Sequence, residues 1–254
     1  MNDVRREMIG GGAIARLTIE AGKGNILTAK LARELRDELA EVAAQPRLRA
    51  IVLSAAGKHF SFGASVEEHL PPRVAGMLGD FHALLRALLG SPIPVIAAVR
   101  GSSLGGGLEL ALACNRIIAA PGAQLGQPEV KLAVFAPAAS VLLPARIGQS
   151  AAEDLLLTGR PVGAEEALQL GLVDEIADDP DARAVQWAEE YLAPLSADAL
   201  RLACRAARTH YAADLTARLQ ELEDLYLREA APSADGREGL TAFLEKRAPR
   251  YCHA

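Results

Sequence analysis

Two glutamates, Glu109 and Glu129, lie twenty residues apart in settings that suit proton transfer. Glu109 ends the glycine-rich run Gly101–Glu109, and Glu129 ends the tripeptide Gln127–Glu129. Glycine-rich turns expose backbone N–H groups, and paired carboxylates move protons. A third element, Phe60–Val66, lies upstream. Together these segments predict an oxyanion-binding site beside an acid/base pair.

Each of these features also has a simpler interpretation. Three glycines at the start of a helix could hold a phosphate or a developing oxyanion, or could form only a tight strand-to-helix junction. The run is not a Walker A loop, because no Gly-Lys-Ser/Thr sequence follows it. Glu109 could serve only the helix dipole, yet its apolar neighbours Leu108–Leu112 predict burial, and a buried carboxylate must be paired or functional. Glu129 alone is typical of a surface turn.

Composition limits the size and the location of the protein. The chain has 254 residues, of which 50% are hydrophobic, so it can form one large domain or a core domain with a helical appendage. No apolar run reaches the roughly 18 residues that a membrane span needs. The charged segment Met1–Glu7 is unlike a signal peptide, and three widely spaced cysteines fit a reducing compartment. We therefore expect a cytoplasmic protein with no membrane association.

Charge and histidine spacing argue against two further kinds of ligand. The net charge is −5 and no Lys/Arg block exceeds two residues, so we expect no nucleic-acid binding. The cysteines form no CxxC or Cys/His cluster, and the spacing of His59, His69 and His82 fits no metal site. We therefore expect no bound metal, and we expect each of these histidines to be structural or exposed.

Short apolar runs alternate with helical periodicities in the first half of the chain. Thr28 suits the N-cap of the first helix, and the wholly apolar run at residues 50–54 is typical of a strand buried on both faces. This alternation predicts an α/β unit with right-handed crossovers. The predicted strands are Ala13–Ile19, Ala50–Ser54, Pro94–Val99 and Arg116–Ala119, and the predicted helices are Ala29–Ala44, Val74–Leu89 and Gly106–Cys114.

The last third of the chain has mainly helical patterns. We expect helices over Ala151–Leu157, Ala164–Leu170, Ala182–Ala193, Ala197–His210 and Asp214–Ala230. An apolar stripe on the last of them consists of Leu215, Leu219, Leu222 and Tyr226. The stripe could cap the core or pack on another subunit. The predicted organisation is a core domain over residues 1–195 and a C-terminal helical region over residues 196–254.

Eight segments resemble, in order, motifs of the crotonase superfamily, also called the enoyl-CoA hydratase/isomerase family. Phe60–Ala64, Gly101–Glu109 and Gln127–Glu129 resemble its F-x-x-G-A, G-x-x-x-G-G-G-x-E and Q-P-E motifs. The match covers nearly the whole chain, and the order and spacing of the motifs carry it. The other five segments are Asn25–Leu27, Arg49–Leu53, Leu157–Gly159, Ala164–Val173 and Phe243–Arg247.

The resemblance implies a fold and an assembly. The fold is α/β, with repeated ββα units that form a superhelical core over residues 1–195. The C-terminal helical region over residues 196–254 is implied to mediate trimerisation, so the expected assembly is a homotrimer or a dimer of trimers. The stripe described above is expected to pack between subunits.

The resemblance also implies which residues act on the substrate. The N–H groups of Ala64 and Gly106 would hold the thioester oxygen of an acyl-CoA, while Glu109 and Glu129 would hold and activate water. No separate cofactor is implied, since coenzyme A is part of the substrate. The implied substrate-binding residues are Lys23, Phe62, Ala64, Ser65, Val66, Leu104, Gly106, Pro128, Phe135 and Lys246.

The chain departs from the family pattern after Glu129. Hydratases usually continue Q-P-E with a glycine-rich stretch, but Leu132–Ser140 lacks those glycines and contains Phe135. Pro137 stands where the family often has glycine and offers no N–H group. Ser65 replaces the usual aspartate, and Glu67 stands where many members have lysine. We therefore expect a reshaped acyl pocket whose wall is the stretch 133–140.

These departures have a resemblance of their own. Phe60–Pro71 and Lys131–Ser140 resemble the cyclohexa-1,5-diene-1-carbonyl-CoA hydratases of benzoyl-CoA breakdown. A planar alicyclic ring could pack on an aromatic side chain such as Phe135 or Phe62. The alternative for Phe135 is a simple role in filling the core.

These resemblances predict a hydro-lyase that adds water to an acyl-CoA double bond. A cyclic dienoyl-CoA of aromatic-acid degradation is favoured over a linear enoyl-CoA as the substrate. An enoyl-CoA isomerase normally needs one proton-shuttling carboxylate, so the presence of both Glu109 and Glu129 favours hydration. A hydrolase or ring-opening enzyme would use the same oxyanion hole. A non-catalytic acyl-CoA-binding or RNA-binding relative is disfavoured by the two glutamates and by the acidic net charge.

Overall fold

The computed structural model describes residues 2–253, which form two β-sheets surrounded by helices. The larger sheet contains, in spatial order, β1 (Val4–Ile9), β2 (Ile14–Ile19), β3 (Ala50–Ala55), β4 (Val95–Val99), β6 (Arg116–Ala119) and β9 (Glu175–Ile176). The smaller sheet contains β5 (Ser102–Leu104), β7 (Gln124–Gly126) and β8 (Pro161–Gly163). Strand pairing is antiparallel for β1–β2 and β7–β8 and parallel elsewhere.

The helices connect these strands and then form the C-terminal part of the chain. They are α1 (Ala29–Ala43), α2 (Val74–Leu89), α3 (Gly106–Leu112), α4 (Pro137–Ile147), α5 (Gln149–Thr158), α6 (Ala164–Gln169), α7 (Pro180–Tyr191), α8 (Ala197–Leu225) and α9 (Ala234–Leu244). Thr28 caps α1 as predicted, because its side chain accepts a hydrogen bond from Leu31 N at 3.2 Å. No helix within residues 2–253 combines the length and the apolar character needed to cross a membrane.

The sheet is buried on both faces. Every residue of β3 and β4 is buried, as the apolar run at residues 50–54 predicts. Ile51 and Leu53 face the main hydrophobic cluster, while Ala50 and Val52 face a smaller cluster that contains α7. The alternation follows the two-residue period of a strand. The sheet thus holds the loops at its edge in fixed positions.

The predicted mixed α/β class is confirmed, and the four predicted strands are present. Three of them differ from the prediction by one residue at one end, and the fourth, Arg116–Ala119, has the predicted bounds. The sequence analysis did not predict β1. This strand lies at the edge of the sheet and contains exposed charged residues, so it lacks the apolar run of a buried strand. Strands β5, β7, β8 and β9, which have only two or three residues each, were not predicted either. The superhelical arrangement and the trimerisation role stay predictions.

The prediction of two separate helices over Ala197–His210 and Asp214–Ala230 was wrong. The structure has one helix, α8, which continues into a π-helical turn at Tyr226–Ala230. No glycine or proline between residues 210 and 214 breaks it. Helix α8 packs on α2 and α4. The division between residues 195 and 196 stays a prediction, and Ser196 caps α8 there.

The apolar stripe of α8 packs on the core of its own chain. Leu215, Leu219 and Tyr226 are buried in the main cluster of their own chain, and Leu222 packs against it. The stripe was expected to pack between subunits, and the structure corrects that expectation. Apolar side chains that remain exposed on α8 are Leu202, at 64%, and Tyr211, at 36%.

Candidate active site

Two backbone amides meet where the segment 60–64 crosses the start of α3. A Cβ built on Gly106 would lie 3.1 Å from Ala64 N and 3.4 Å from Ala64 Cβ, so the two residues are in contact. Neither amide donates a hydrogen bond to any group among residues 2–253. Gly106 is the first residue of α3, where amides have no partner within the helix. Both amides are therefore free to donate a hydrogen bond to a ligand.

Glycines permit this close approach. Gly105 has φ +51°, and a Cβ on it would lie 2.5 Å from Glu129 Oε1. A Cβ on Gly107 would lie 2.7 Å from Ser61 Cβ. Any larger residue at either position would push the start of α3 away from Glu129 or from the segment 60–64. The run of glycines is thus more than a tight junction, since it brings two segments against one helix end.

Asn25 fixes the segment that carries Ala64. Its buried side chain donates from Nδ2 to the carbonyls of Ala56 and His59 at 2.9 and 3.0 Å. Ser61 Oγ donates to the Asn25 carbonyl at 2.8 Å and accepts from Gly63 N at 3.0 Å. These bonds hold the backbone on which the Ala64 amide is mounted.

Glu109 is buried and points at the start of another helix. Its Oε1 accepts a hydrogen bond from the Ala139 amide at 2.8 Å, in the first turn of α4. Burial raises the pKa of Glu109, and the amides of Ala139 and Ala138 together with the charge of His82 partly offset the rise. The carboxylate thus serves an unpaired helix amide, as anionic groups at helix N-termini do.

Glu129 lies in a short 3-10 helix, Pro128–Leu132, beside the same glycine run. Burial, and then the negative charge of Glu109, raise the pKa of Glu129 to about 8. With its amide nitrogen turned toward Glu129, Gln127 donates to both carboxylate oxygens at 3.1 and 3.0 Å. Because the two glutamates repel one another when both are ionised, one of them holds a proton at neutral pH.

A cavity of about 190 Å³ adjoins Glu129. The stretch at residues 133–140 supplies part of its wall, as predicted, but the stretch is also the entry to α4. Pro137 is the first residue of that helix, where a missing N–H group costs nothing. Side chains lining the cavity include Phe135, Ala136, Ser140, Glu153 and Leu156.

The predicted aromatic residues occupy different places. Phe135 lines the cavity and packs edge-on against Tyr226, with ring centroids 5.4 Å apart, so it both fills space and faces the site. Phe62 is 41% exposed and lies against Gly24 and His59. It does not line the cavity, and its packing on an acyl ring stays a prediction.

The other predicted substrate-binding residues divide into three groups. Pro128 begins the turn of Glu129, and the Leu104 carbonyl lies beside Gly63, which precedes Ala64. Ser65 caps the turn Val66–His69 and Val66 packs on the core. Lys23 and Lys246 are exposed, and within residues 2–253 neither side chain forms a hydrogen bond or ion pair with a site residue.

Two residues near the glutamates were not predicted for the site. Tyr226 was assigned only to the apolar stripe, but burial and the negative charges of Glu129 and Glu109 raise its pKa well above the ordinary value. His82 is buried, as a structural histidine would be, and its Nδ1 lies 2.7 Å from Glu223 Oε2. Helical periodicity could identify both as core residues but not their proximity to the glutamates.

The site has no metal-binding arrangement in the described part of the chain. No three His, Cys, Asp or Glu side chains among residues 2–253 lie together in a way that could hold an ion. The groups at the site that could act in chemistry are carboxylates, backbone amides and a tyrosine hydroxyl.

Comparison with known proteins identifies the family. The enoyl-CoA hydratase/isomerase family model matches residues 10–253, and the chain belongs to that family. A relative from Thauera aromatica, named cyclohexa-1,5-dienecarbonyl-CoA hydratase, is 49% identical over 94% of this chain and 93% of its own length. A probable enoyl-CoA hydratase from Mycobacterium tuberculosis is 37% identical over 90% of each chain.

Solved structures agree with the family. The crystal structure of an enoyl-CoA hydratase/isomerase from Pseudoalteromonas atlantica superposes with a TM-score of 0.85 at 29% identity, covering 98% of this chain and 100% of that one. An enoyl-CoA hydratase from Bacillus anthracis gives a TM-score of 0.78 at 32% identity, covering 98% of each chain.

Proposed function

We propose that the protein is a hydro-lyase that adds water to a double bond of an acyl-CoA thioester, and that the acyl group is cyclohexa-1,5-diene-1-carbonyl. The observation that carries the proposal is the glutamate pair beside two unpaired amides and an apolar cavity. The name of the 49% identical relative supports the cyclic substrate. So does Phe135, which presents an aromatic wall to the cavity.

The amides of Ala64 and Gly106 bind the thioester oxygen. Attack of water on a carbon conjugated to the thioester moves negative charge onto that oxygen, and two N–H donors stabilise the charge as it develops. Loss of one such donor typically costs roughly 2.7–4 kcal/mol of transition-state stabilisation. Because both amides are held by buried segments, no reorganisation is needed when the charge forms.

The two glutamates divide the proton transfers. Glu109, whose carboxyl oxygen accepts a hydrogen bond from the Ala139 amide, takes a proton from water as the carbon–oxygen bond forms. Glu129, protonated below about pH 8, delivers a proton to the carbon that carries the enolate charge. The electron pair of the double bond passes to the thioester and returns in the new carbon–hydrogen bond. Proton exchange between the coupled glutamates restores the site.

The linear enoyl-CoA hydratase and the enoyl-CoA isomerase are the alternative enzymes, since the family includes both names. Incubation with cyclohexa-1,5-diene-1-carbonyl-CoA and with a linear enoyl-CoA, followed by mass spectrometry, separates them. We expect the cyclic thioester to gain the mass of one water. An unchanged mass with a shifted double bond would indicate isomerisation, and no change in either thioester would contradict an enzymatic role.

The assembly and the setting are part of the proposal. A homotrimer or a dimer of trimers is supported by large apolar side chains that remain exposed, namely Leu157, Leu202 and Phe243. Light scattering that shows a stable monomer at micromolar concentration would contradict it. Five further expectations stay predictions: the lack of a separate cofactor, the lack of nucleic-acid binding, the lack of membrane association, the cytoplasmic location and the role in aromatic-acid degradation. Filter binding with RNA at two salt concentrations tests the nucleic-acid prediction.

A further inference from the structure

The hydroxyl of Tyr226 is a buried polar group without a hydrogen-bond partner. Tyr226 is 1% exposed, and its hydroxyl oxygen has no partner among residues 2–253. A buried hydroxyl without a partner lowers the stability of the folded state by roughly 1–3 kcal/mol. Native proteins rarely tolerate such a group unless a ligand or a water completes it.

The ring of Tyr226 is fixed beside the acyl cavity. It packs edge-on against Phe135, which lines the cavity together with Glu129, and its ring centroid lies 6.2 Å from that of His69. The backbone changes there from α-helix to a π-helical turn, in which Ala231 N donates to the Tyr226 carbonyl at 2.9 Å. Such turns recur at functional sites.

The chemistry of the acyl group limits what this hydroxyl can bind. The ring of the proposed substrate is a hydrocarbon, and its thioester oxygen is already assigned to the amides of Ala64 and Gly106. The remaining polar atom of the reaction is the oxygen of the added water. One hydrogen of that water faces the Glu109 carboxylate, which takes the proton, and one lone pair forms the new carbon–oxygen bond, so the second lone pair can accept a hydrogen bond from a donor.

We propose that Tyr226 is a further catalytic residue whose hydroxyl donates a hydrogen bond to the oxygen of the added water and, after addition, to the hydroxyl of the product. The inference rests on the proposed hydratase function. Tyr226 keeps its proton throughout, while Glu109 takes the proton that water loses. In the reverse direction the same bond stabilises the departing hydroxide.

A single-atom change tests the role. Tyr226→Phe removes only the hydroxyl, and Tyr191→Phe, on the exposed surface of α7, is the matched control. We expect kcat/KM for hydration to fall about tenfold in Tyr226→Phe, the effect of one hydrogen bond made in the transition state. The thermal midpoint of the unliganded variant should equal or exceed that of the native protein, because no protein hydrogen bond is lost.

A structural role for Tyr226 predicts the reverse result. If Tyr226→Phe lowers the thermal midpoint of the unliganded protein and leaves kcat/KM at the level of Tyr191→Phe, the proposal is overturned. If the variant loses both stability and activity, the binding measurement below decides between the two roles, because only folded protein binds the ligand.

Two non-reacting ligands give the second measurement. Calorimetry compares cyclohexanecarbonyl-CoA with 2-hydroxycyclohexane-1-carbonyl-CoA, which differ only in the ring hydroxyl. We expect Tyr226→Phe to lower the affinity for the hydroxylated ligand about tenfold and to leave the affinity for the other ligand unchanged. Equal weakening of both, or of neither, would overturn the proposal. If the native protein hydrates nothing, the proposed function fails, while this comparison still decides whether Tyr226 binds a ring hydroxyl.

Discussion

Replacement of Glu129 by glutamine should make the protein more stable and nearly inactive. The substitution keeps the shape of the side chain and an oxygen acceptor for the Gln127 amide. It removes a carboxyl group whose pKa is raised from 4.5 to about 8 by burial and by the charge of Glu109. The folded state therefore favours the protonated, uncharged form of Glu129.

The sign of the stability change follows from that direction. Because the pKa is higher in the folded than in the unfolded state, ionisation of Glu129 destabilises the fold, and the loss grows as pH rises from about 4.5 to about 8. At about 1.36 kcal/mol per pKa unit, the upper limit is about 5 kcal/mol. Because Glu129 is half-buried and its ionisation depends on that of Glu109, we expect the destabilisation of the folded state above pH 8 to be about 1–3 kcal/mol.

The assay is thermal unfolding at pH 4 and at pH 8.5, with initial rates of hydration at the higher pH. Glu129→Gln should gain about 2–10 °C at pH 8.5 and almost nothing at pH 4. Its turnover should fall at least about a hundredfold, the low end for loss of an acid/base group. Glu189→Gln, on the exposed surface of α7, is the control and should change neither the thermal midpoint nor the turnover. A variant that is less stable at pH 8.5, or that turns over at a near-native rate, would refute the reasoning.

Substitutions at three further residues test the other parts of the site. Glu109→Gln should keep native circular dichroism and lose at least about a hundredfold in turnover, and near-native turnover would contradict its role as base. Ala64→Pro deletes one amide donor and should abolish activity, whereas Ala64→Ser keeps the donor and should be much milder; small and equal effects on initial rates would contradict the oxyanion role. Phe135→Ala should lower the preference for the cyclic over the linear thioester more than it lowers thermal stability, because a planar ring loses apolar contact at roughly 25 cal/mol per Å². An unchanged preference would mean that Phe135 only fills the core.

Local sequence patterns predicted the elements that carry strong local signals. The buried strands β3 and β4 are short apolar runs, and α2 begins and ends at the predicted residues, Val74 and Leu89. The glutamate pair and the glycine run were also identifiable, because their residue types have few other uses together. The structure adds the reason for the glycines, which is the close approach of Glu129 and Ser61 to α3.

Features that depend on tertiary contacts could not be predicted in this way. The stripe of α8 has the same periodicity whether it faces the chain's own core or another subunit, so only the fold decides. Tyr226 meets Phe135 through packing of a C-terminal helix on the core, and no spacing along the chain encodes that contact. The bond between Glu109 and the Ala139 amide likewise depends on where α4 begins in space.

The most direct test of the proposed function is the comparison of two specificity constants for the native protein. Hydration of cyclohexa-1,5-diene-1-carbonyl-CoA and of crotonyl-CoA can be followed at pH 7 with the same preparation. The apolar cavity beside Phe135 predicts a higher kcat/KM for the cyclic thioester, since a short linear chain leaves part of the cavity unfilled. A higher kcat/KM for crotonyl-CoA would contradict the cyclic substrate, and no hydration of either would contradict the hydratase itself.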